Sequence, residues 1–366
     1  MSKSTWYLKY RPNQLDELVG QKYNAQTLKQ ASILDRFVHC YIFSGSRGCG
    51  KTSTARILAN LMTCTNPKDG RVCGQCRACL TIKDEVAMDV IELDCANNGN
   101  VENIQNLIEA ANWSPTELKK KVYILDEAHQ LTSRAVSALL KITEEPPEYL
   151  SFIFCTTEPK KILPTILSRS QRLNFKKISV KDISGRLAYI AKQENVRITE
   201  DALFEIAKLS RGCLRDAIVP LEQIATVAGS NEVTANIIQK YFGLPDRVGI
   251  FKIVKAMVDG DIALVIDQVN DMIVASADTE NIAYEISEIF RSIMLLKAQG
   301  GKTSLIDLPE HEIEQVIKIG ESVKMGQLDK LSHLFSTIRK ELDYSINERW
   351  ILESTLIHGT ALLRKT

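Results

Sequence analysis

The residues from Gly45 to Thr52 have the types and spacing of a loop that binds phosphate. They follow the pattern G-x-x-x-x-G-K-[ST], between an apolar run at 41–43 and a helical pattern at 53–62. Glycines let such a loop direct its N–H groups at an anion, while the lysine reaches the outer phosphates and the threonine hydroxyl ligates Mg²⁺. The strand, loop and helix context disfavours the alternative of a glycine-rich turn without a ligand. We therefore predict nucleotide-binding residues at Gly45, Ser46, Arg47, Gly48, Cys49, Gly50, Lys51, Thr52 and Ser53.

Two acids close a second apolar run, which begins at Val122. Asp126 is placed there to hold Mg²⁺, and Glu127 to polarise an attacking water. The alternative, a strand that ends in a helix N-cap at Asp126, is less favoured beside a phosphate loop. Thr157 ends another apolar run, at the side of an α/β sheet where ligand crevices lie. For His129, a capping or packing role is favoured over that of a general base.

Four cysteines, three of them at C-x₂-C-x₂-C spacing, suit a tetrahedral zinc site. There are two alternatives, an iron–sulfur cluster and four coincidental free thiols. The motif of an iron–sulfur cluster adds a further cysteine and a proline just downstream, whereas here the next cysteine is Cys95. Free thiols are disfavoured because four of the nine cysteines fall within sixteen residues. A site closed by four protein ligands supports folding rather than catalysis. The predicted zinc ligands are Cys64, Cys73, Cys76 and Cys79. The other cysteines are scattered and are predicted to pack as small apolar residues.

The overall charge limits which partners the composition can indicate. With 46 lysines and arginines against 45 acids, the net charge is +1, so any contact with nucleic acid must be local or supplied by an assembly. Apolar residues make up 45% of the 366 residues and charged residues 25%, as in soluble globular proteins. No apolar run is long enough for a membrane span, and the first residues lack the apolar core of a signal peptide. We expect a cytoplasmic protein whose thiols stay reduced.

The order of predicted elements indicates the domain organisation. Strands alternate with helices in the first part, which predicts a parallel α/β sheet covered by helices on both faces. The pattern then becomes entirely helical, and a stretch with glycine and proline separates two helical parts. We predict a nucleotide-binding domain at 1–178 with the cysteine module at 64–79, a helical lid at 179–242 and a helical collar at 243–366. Apolar stripes on the last helices predict a bundle core or a subunit interface.

Several short segments, taken together, resemble a known family. They are Lys9-Tyr10-Arg11-Pro12, Gly20-Gln21, the phosphate loop, the cysteine module directly after its helix, Val122–His129, Leu139-Leu140-Lys141, Glu144-Glu145-Pro146-Pro147, Ser168-Arg169 and Gly212–Ala217. This series resembles the clamp-loader clade of AAA+ ATPases, in particular those of bacterial DNA polymerase III. The resemblance covers nearly the whole chain. Its most specific parts are the position of the cysteine module and the pair Ser168-Arg169.

The resemblance implies roles that residue types alone do not assign. Arg169 would be an arginine finger that completes the ATP site of the neighbouring subunit. Arg215 would be a sensor in the lid, at the γ-phosphate of its own subunit, and Thr157 the sensor at the sheet edge. The adenine and ribose side would be lined by Tyr10, Arg11, Pro12 and Val19. Without the resemblance, the two arginines would be interpreted as surface salt-bridge residues.

Two departures from the family pattern bear on function. The finger motif ends in Ser170 where the family usually has cysteine, but the arginine before it is kept. The segment 97–100 lacks the basic residues with which some relatives can contact the DNA backbone, and it offers no positive charge for such a contact. Arg134 and Lys141 are the remaining candidates for contact with DNA phosphates.

The resemblance implies an ATP-dependent motor subunit of the DNA polymerase III clamp loader, which loads a sliding clamp onto primed DNA. Implied cofactors are ATP, Mg²⁺ and Zn²⁺, with Thr52 and Asp126 as magnesium ligands. Implied partners are copies of the chain in a pentamer with delta- and delta-prime-type subunits, the sliding clamp, and primer–template DNA held by the assembled complex, without a membrane. The predicted catalytic residues are Lys51, Asp126, Glu127, Thr157, Arg169 and Arg215.

Two other functions fit parts of the pattern. A structural clamp-loader subunit without catalysis would share the cysteine module, but such subunits have degraded phosphate loops. The intact Lys51, Thr52, Asp126 and Glu127 therefore argue against it. A branch-migration helicase would be a different AAA+ motor. The helical C-terminal part and the cysteine module disfavour it, because such motors typically end in a DNA-binding winged helix.

Overall fold

Five parallel strands form the central sheet of the first part of the chain. The computed structural model describes residues 5–162, 164–229, 231–300, 306, 308, 310–344 and 346–364. The strands are β1 (Cys40–Gly45), β2 (Val90–Asp94), β3 (Lys121–Asp126), β4 (Leu150–Thr156) and β5 (Gln171–Phe175), in the order β2-β3-β4-β1-β5. Ser44 of β1 is opposite Thr156 of β4, and Asp94 of β2 is opposite Asp126 of β3. Because all neighbouring pairs are parallel, the C-terminal ends of the strands lie on one side of the sheet.

The composition of each strand matches its place in the sheet. The inner strands β1, β3 and β4 are nearly continuous apolar runs and are buried along almost their whole length. The outer strands β2 and β5 are only partly buried and carry polar residues such as Glu92 and Arg172. An inner strand of a parallel sheet has neighbours on both sides and helices on both faces, so it offers little room for polar side chains.

Helices cover both faces of this sheet. They are α1 (Trp6–Lys9), α2 (Lys22–Ile33), α3 (Lys51–Thr63), α4 (Arg77–Lys83), α5 (Cys95–Asn98), α6 (Val101–Ala111), α7 (Ser133–Glu144) and α8 (Pro164–Arg169), with short 3₁₀ helices at Leu15–Glu17, Ala128–Gln130 and Pro159–Lys161. Successive side chains of a strand point to opposite faces. Tyr41 of β1 therefore packs in one core with Leu58 of α3. Its neighbour Ile42 packs in the other core, with Leu139 of α7.

Three helices follow the last strand: α9 (Val180–Gln193), α10 (Glu200–Leu209) and α11 (Leu214–Ala228). Ser179 and Thr199 cap the first two, since their hydroxyls accept a backbone N–H three residues further on. Helix α11 has no such side-chain cap. Its first N–H, at Leu214, instead lies 3.2 Å from the carbonyl oxygen of Gly48 and donates to it. The third helix thus begins on the phosphate loop.

The remainder of the chain is helical and forms a second compact unit. Backbone contacts divide the chain into Met1–Glu232 and Val233–Thr366. In its described residues the second unit contains α12 (Ala235–Phe242), α13 (Arg247–Asp259), α14 (Ile262–Val274), α15 (Thr279–Ala298), α16 (Glu310–Glu321), α17 (Met325–Tyr344) and α18 (Glu348–Arg364). Its core is apolar and includes Ile253, Met257, Ile286, Ile293 and Leu331. The apolar stripes seen in the sequence are therefore used to build a bundle core.

The parallel sheet with helices on both faces and the helical C-terminal part confirm the coarse fold prediction. The short helices α1, α4 and α5 were not predicted, because they are too short to show an apolar period. The division into three domains stays a prediction, and backbone contacts group α12 with the second unit. None of the helices in the described ranges is both long and apolar enough to cross a bilayer.

Asp89, just before β2, anchors the loop that leads into β3. Its buried carboxylate accepts three backbone N–H bonds, from Thr116, Glu117 and Leu118, at 2.7 to 2.9 Å. Burial opposes ionisation of this carboxyl group. The three N–H donors outweigh that effect and hold the pKa of Asp89 below its ordinary value.

We expect Asp89→Asn to lower the free energy of unfolding by about 1–3 kcal/mol at neutral pH, because an amide accepts these N–H bonds less well than a carboxylate. Since folding lowers the pKa, the stabilisation by the carboxylate is complete above about pH 4 and is lost as the pH falls through the folded-state pKa. Urea unfolding at pH 7 and near pH 3 measures both effects. Asp84→Asn, at an exposed position, is the matched control. If Asp89→Asn proved as stable as wild type at pH 7, the anchoring role would be contradicted.

Candidate functional site

The phosphate loop connects β1 to α3 on the C-terminal side of the sheet. Gly45 has no room for a side chain, since a Cβ there would lie 2.3 Å from the carbonyl oxygen of Phe175. Lys51 is only 6% exposed. Its ammonium group donates to the carbonyl oxygens of Gly45 at 3.0 Å and Ser46 at 2.9 Å. The loop therefore holds its cation at the N-terminus of α3, where backbone N–H groups and the helix dipole favour an anion.

Thr52 follows β1 in the chain, and Asp126 is the last residue of β3. Their side chains meet at the C-terminal side of the sheet. Thr52 Oγ1 donates to Asp126 Oδ2 at 2.8 Å. The other carboxylate oxygen, Oδ1, accepts the N–H of Glu127 at 2.9 Å. A hydroxyl and a carboxylate oxygen at this distance are a pair of hard oxygen ligands. Mg²⁺ takes such ligands together with substrate phosphates, so these residues fit a magnesium site.

Glu127 directly follows β3 and has an unusual backbone conformation. Its φ is 48°, in the left-handed region that non-glycine residues rarely adopt. Its Oε2 accepts from the Thr157 hydroxyl at 3.4 Å and lies 3.5 Å from His129 Nδ1. The His129 side chain is 6% exposed and also lies 3.2 Å from the Thr156 hydroxyl, which fits the packing role predicted for it. The Glu127 carboxylate lines a cavity and can accept a proton from water there.

That cavity has a volume of about 440 Å³ and collects most of the predicted site. Its lining includes the loop residues from Arg47 to Ser53, both acids, and the predicted adenine-side residues Tyr10, Arg11, Pro12 and Val19. Sequence reasoning missed other lining residues, among them Tyr7, Asp94, Arg186, Leu214 and Ile218. Asp94 carried a signal, because it ends an apolar strand in register with Asp126. Leu214 lies in the segment Gly212–Ala217 that carries the resemblance, whereas Tyr7, Arg186 and Ile218 belong to no motif and reach the cavity through helix packing.

Arg215 lines the cavity from the first turn of α11. Its guanidinium carbon lies 4.7 Å from the centre of the Tyr7 ring. The residues before it pack directly on the phosphate loop: a Cβ on Gly48 would lie 1.9 Å from Cys213 Sγ. Together with the bond from Leu214 to the Gly48 carbonyl, this packing fixes where α11 begins and places Arg215 beside the loop.

Arg169 lies apart from the cavity that the other candidates share. It ends α8, where its guanidinium pairs with Glu144 at 3.0 Å and donates to the carbonyl oxygen of Thr165 at 3.0 Å. It is not among the described residues that line the cavity of its own chain. Of the predicted catalytic residues, the structure places Lys51, Asp126, Glu127 and Arg215 in the lining of this cavity. Thr157 is not part of the lining, but its hydroxyl contacts Glu127 at 3.4 Å. Arg134 and Lys141 are both exposed on α7.

The four cysteines predicted as ligands converge beside the P-loop helix α3. Their sulfur atoms all lie within 4.8 Å of one another, for example 3.5 Å between Cys76 and Cys79 and 3.7 Å between Cys79 and Cys64. A tetrahedron with Zn–S bonds of about 2.3 Å has edges of about 3.8 Å, so the cluster fits zinc. Backbone N–H groups of Gln75 and Cys76 lower the pKa of the Cys73 thiol, whereas burial raises the pKa of the Cys64 and Cys79 thiols. The other five cysteines, Cys40, Cys49, Cys95, Cys155 and Cys213, are buried as predicted.

Two family models match the chain in separate ranges. One, described as the DNA polymerase III delta subunit, matches residues 20–179. The other, described as domain III of DNA polymerase III subunits gamma and tau, matches residues 233–363. The first range contains the sheet, the phosphate loop and both acids that follow it. The second begins where the second compact unit begins.

Curated relatives share sequence along most of the chain. DNA polymerase III subunit gamma/tau of Mycoplasma genitalium is 40% identical over 285 residues, which are 78% of this chain and 47% of that protein. DNA polymerase III subunit tau of Bacillus subtilis is 31% identical over 98% of this chain and 63% of its own length. The Escherichia coli tau subunit is 32% identical over 99% of this chain and 56% of its own. The chain thus spans about half the length of these relatives.

Among solved structures, Thermotoga maritima RuvB, described as a Holliday junction branch migration motor, aligns with a TM-score of 0.49 at 20% identity. The alignment covers 68% of this chain and 79% of that one. A similarity this distant carries no conclusion about function.

The close contact at Gly48 leads to a stability prediction. Gly48 has a φ of 67°, and Gly48→Ala would add both left-handed strain and a clash with Cys213. We expect this variant to lose about 2–4 kcal/mol of unfolding free energy. Gly50→Ala is the matched control, because its φ is 100° but nothing lies within 4 Å of the added Cβ.

Chemical denaturation of a double-mutant cycle with Cys213→Ala isolates the clash from the strain. Removal of the sulfur atom should recover part of the stability lost by Gly48→Ala and none of that lost by Gly50→Ala. Strict additivity at Gly48 would contradict the direct contact between the loop and α11.

Proposed function

The chain belongs to the DNA polymerase III gamma/tau family, and on this premise we propose that it is an ATP-dependent motor subunit of a clamp loader. Copies of it would assemble with delta- and delta-prime-type subunits into a pentamer within the polymerase III holoenzyme. With ATP bound, the assembly opens a ring-shaped sliding clamp and grips primer–template DNA. Hydrolysis then releases both. Such a protein acts in the cytoplasm, where the bacterial DNA is replicated.

One observation carries the ATPase proposal: Thr52 and Asp126 are hydrogen-bonded in the lining of a cavity that Lys51 also lines. A hydroxyl, a carboxylate and a cation are the groups that a magnesium–triphosphate complex requires. Their arrangement favours a catalytic subunit over a structural subunit without hydrolysis. The Glu127 carboxylate in the same cavity supplies the remaining group, a base for water.

In the proposed mechanism, each residue acts on one part of the nucleotide. Lys51 offsets the charge of the outer phosphates, and the loop N–H groups hold the phosphate chain. Glu127 accepts the proton of the attacking water, and its hydrogen bond from Thr157 orients the carboxylate. Thr52 and Asp126 would hold Mg²⁺, directly or through water, and the ion would neutralise charge on the phosphate oxygens.

The remaining site residues act around this centre. Tyr10, Arg11, Pro12 and Val19 would line the adenine and ribose side of the cavity. Arg215 would contact the γ-phosphate of its own subunit. Arg169, which pairs with Glu144 outside its own cavity, would complete the site of the next subunit. An arginine suits both roles because its charge is permanent and its planar fork matches phosphate oxygens.

We further propose the division of labour along the chain. Residues 1–178 would be an AAA+ nucleotide-binding domain, 179–242 its lid and 243–366 the collar through which subunits assemble. The match of the gamma and tau domain III model to residues 233–363 supports a collar in the last part. Arg134 and Lys141, exposed on α7, are the candidates for DNA phosphate contact. The cysteine module would bind one Zn²⁺ and stabilise the fold.

The shared site is tested by an arginine substitution in the full assembly. We expect Arg169→Ala to bind ATP as wild type does. Its clamp- and DNA-stimulated ATPase rate should fall by roughly a thousandfold, because the finger stabilises transition-state charge in the ATP site of the neighbouring subunit. Lys51→Ala should instead lose ATP binding. Nucleotide titration and phosphate release, with sliding clamp and primed DNA present, measure the two effects.

Arg172→Ala is the matched control for this experiment. Arg172 is also exposed and lies three residues further along the chain, on β5. It should keep both ATP binding and stimulated hydrolysis. A wild-type ATPase rate in an assembled Arg169→Ala complex would contradict the finger role. An equal loss of ATPase rate in Arg172→Ala would also contradict it.

Metal content tests the cysteine module. Purified wild-type chain should contain one zinc ion, and Cys76→Ser should lose it and unfold about 5–10 °C lower, since a structural zinc site contributes directly to folding. Elemental analysis and thermal unfolding give the two readouts. Cys95→Ala, at a buried cysteine outside the cluster, should keep its zinc. Iron in place of zinc, or full zinc content in Cys76→Ser, would refute the assignment.

A further inference from the structure

Tyr7 and Arg215 line the same cavity from opposite ends of the first compact unit's sequence. Tyr7 lies on α1 and Arg215 on α11. The guanidinium carbon is 4.7 Å from the ring centre, within the range of a cation–π contact. The tyrosine matches no part of the motifs that identified the site.

The backbone that carries Tyr7 is attached to the lid helices on both sides. The N–H of Trp6 donates to Glu222 Oε2 at 3.0 Å, which fixes the start of α1 on α11. At the other end of α1, Lys9 Nζ lies 2.6 Å from Glu194 Oε1, just after α9. These contacts position α1 without involving the contact between the Tyr7 ring and Arg215.

The surroundings of Arg215 give it little else to hold its side chain. In the part of the chain that the structure describes, no carboxylate forms an ion pair with it, and the side chain is exposed. Arg11 lies nearby, and the two positive charges repel each other. Burial lowers the pKa of Arg11, and the charges of Arg56 and Arg215 lower it further. Among the described residues, the attractive contact of this guanidinium is the one with the Tyr7 ring.

An aromatic ring holds an arginine differently from a carboxylate. The ring occupies the flat face of the guanidinium, and the N–H donors around its edge stay available. A carboxylate would occupy those donors, cancel the charge, and have to be displaced by an incoming phosphate. The Tyr7 contact orients the cation without consuming its hydrogen bonds or its charge.

We propose that Tyr7 is a positioning residue that holds the Arg215 guanidinium ready for the terminal phosphate of ATP, and so contributes to the preference for ATP over ADP. This inference rests on the γ-phosphate contact proposed above for Arg215. Because ADP lacks that phosphate, the loss of Tyr7 should affect the two nucleotides differently.

The test is calorimetric titration of the whole chain with the slowly hydrolysed analogue ATPγS and with ADP, both with Mg²⁺. Tyr7→Leu should raise the Kd for ATPγS about two- to fivefold, the effect of one exposed cation–π contact, and leave the Kd for ADP unchanged. Tyr7→Phe, which keeps the ring, should bind both nucleotides as wild type does. Tyr23→Leu is the matched control, since Tyr23 is 80% exposed on α2 and lines no part of the cavity described here.

A double-mutant cycle makes the result specific to the pair. In an Arg215→Ala background, Tyr7→Leu should cause no further change in the Kd for ATPγS. An equal rise for ATPγS and ADP, or an undiminished effect without Arg215, would overturn the inference. If Arg215→Ala changes the Kd for ATPγS and the Kd for ADP by the same factor, both this inference and the sensor role of Arg215 are contradicted. Lys51→Ala, titrated with both nucleotides, tests the nucleotide site separately. Loss of binding in this variant would support the site whatever the result for Tyr7.

Discussion

The hydrogen bond between Thr52 and Asp126 depends on the alignment of three strands. One residue follows β1 and the other ends β3, and β4 lies between these strands in the sheet. A slip of one residue in the pairing of β3 with β4 would turn position 126 to the opposite face of the sheet. The buried apolar side chains of the inner strands prevent such a slip, because it would exchange the residues of the two cores. The core thus sets the distance between the two residues proposed to hold magnesium.

A second constraint comes from the helices after the sheet. Helix α11 starts on the phosphate loop, and the N-terminal helix α1 is attached to α11 by the bond from Trp6 to Glu222. One wall of the cavity therefore combines the beginning, the middle and the end of the first unit. The N-terminal segment has little regular structure of its own, yet it contributes Tyr10 and Arg11 to the cavity because α9 and α11 hold it there. Arg186 of α9 takes part, donating to the Tyr10 carbonyl at 3.1 Å.

The sequence was sufficient where chemistry itself sets the spacing of residues. A phosphate loop, a pair of acids after a strand, and cysteines around one ion each need fixed intervals, so a motif reveals them. Asp94 and Ile218 depend instead on strand register and helix packing, which join residues far apart in the chain. Helix α4 was missed because its seven residues are too few to show an apolar period. The role proposed for Arg169 involves a neighbouring subunit, and only the family resemblance suggested it.

The bond from the Leu214 N–H to the Gly48 carbonyl has a consequence for ligand binding. It joins the phosphate loop and the residue preceding Arg215 into one piece, reinforced by the close packing of Cys213 against Gly48. Because the phosphate loop and the start of α11 are fixed to each other, they lose their relative conformational freedom during folding and not when a ligand binds. A ligand that touches both then meets a preorganised surface, and its affinity is reduced less by the conformational entropy of ordering the protein.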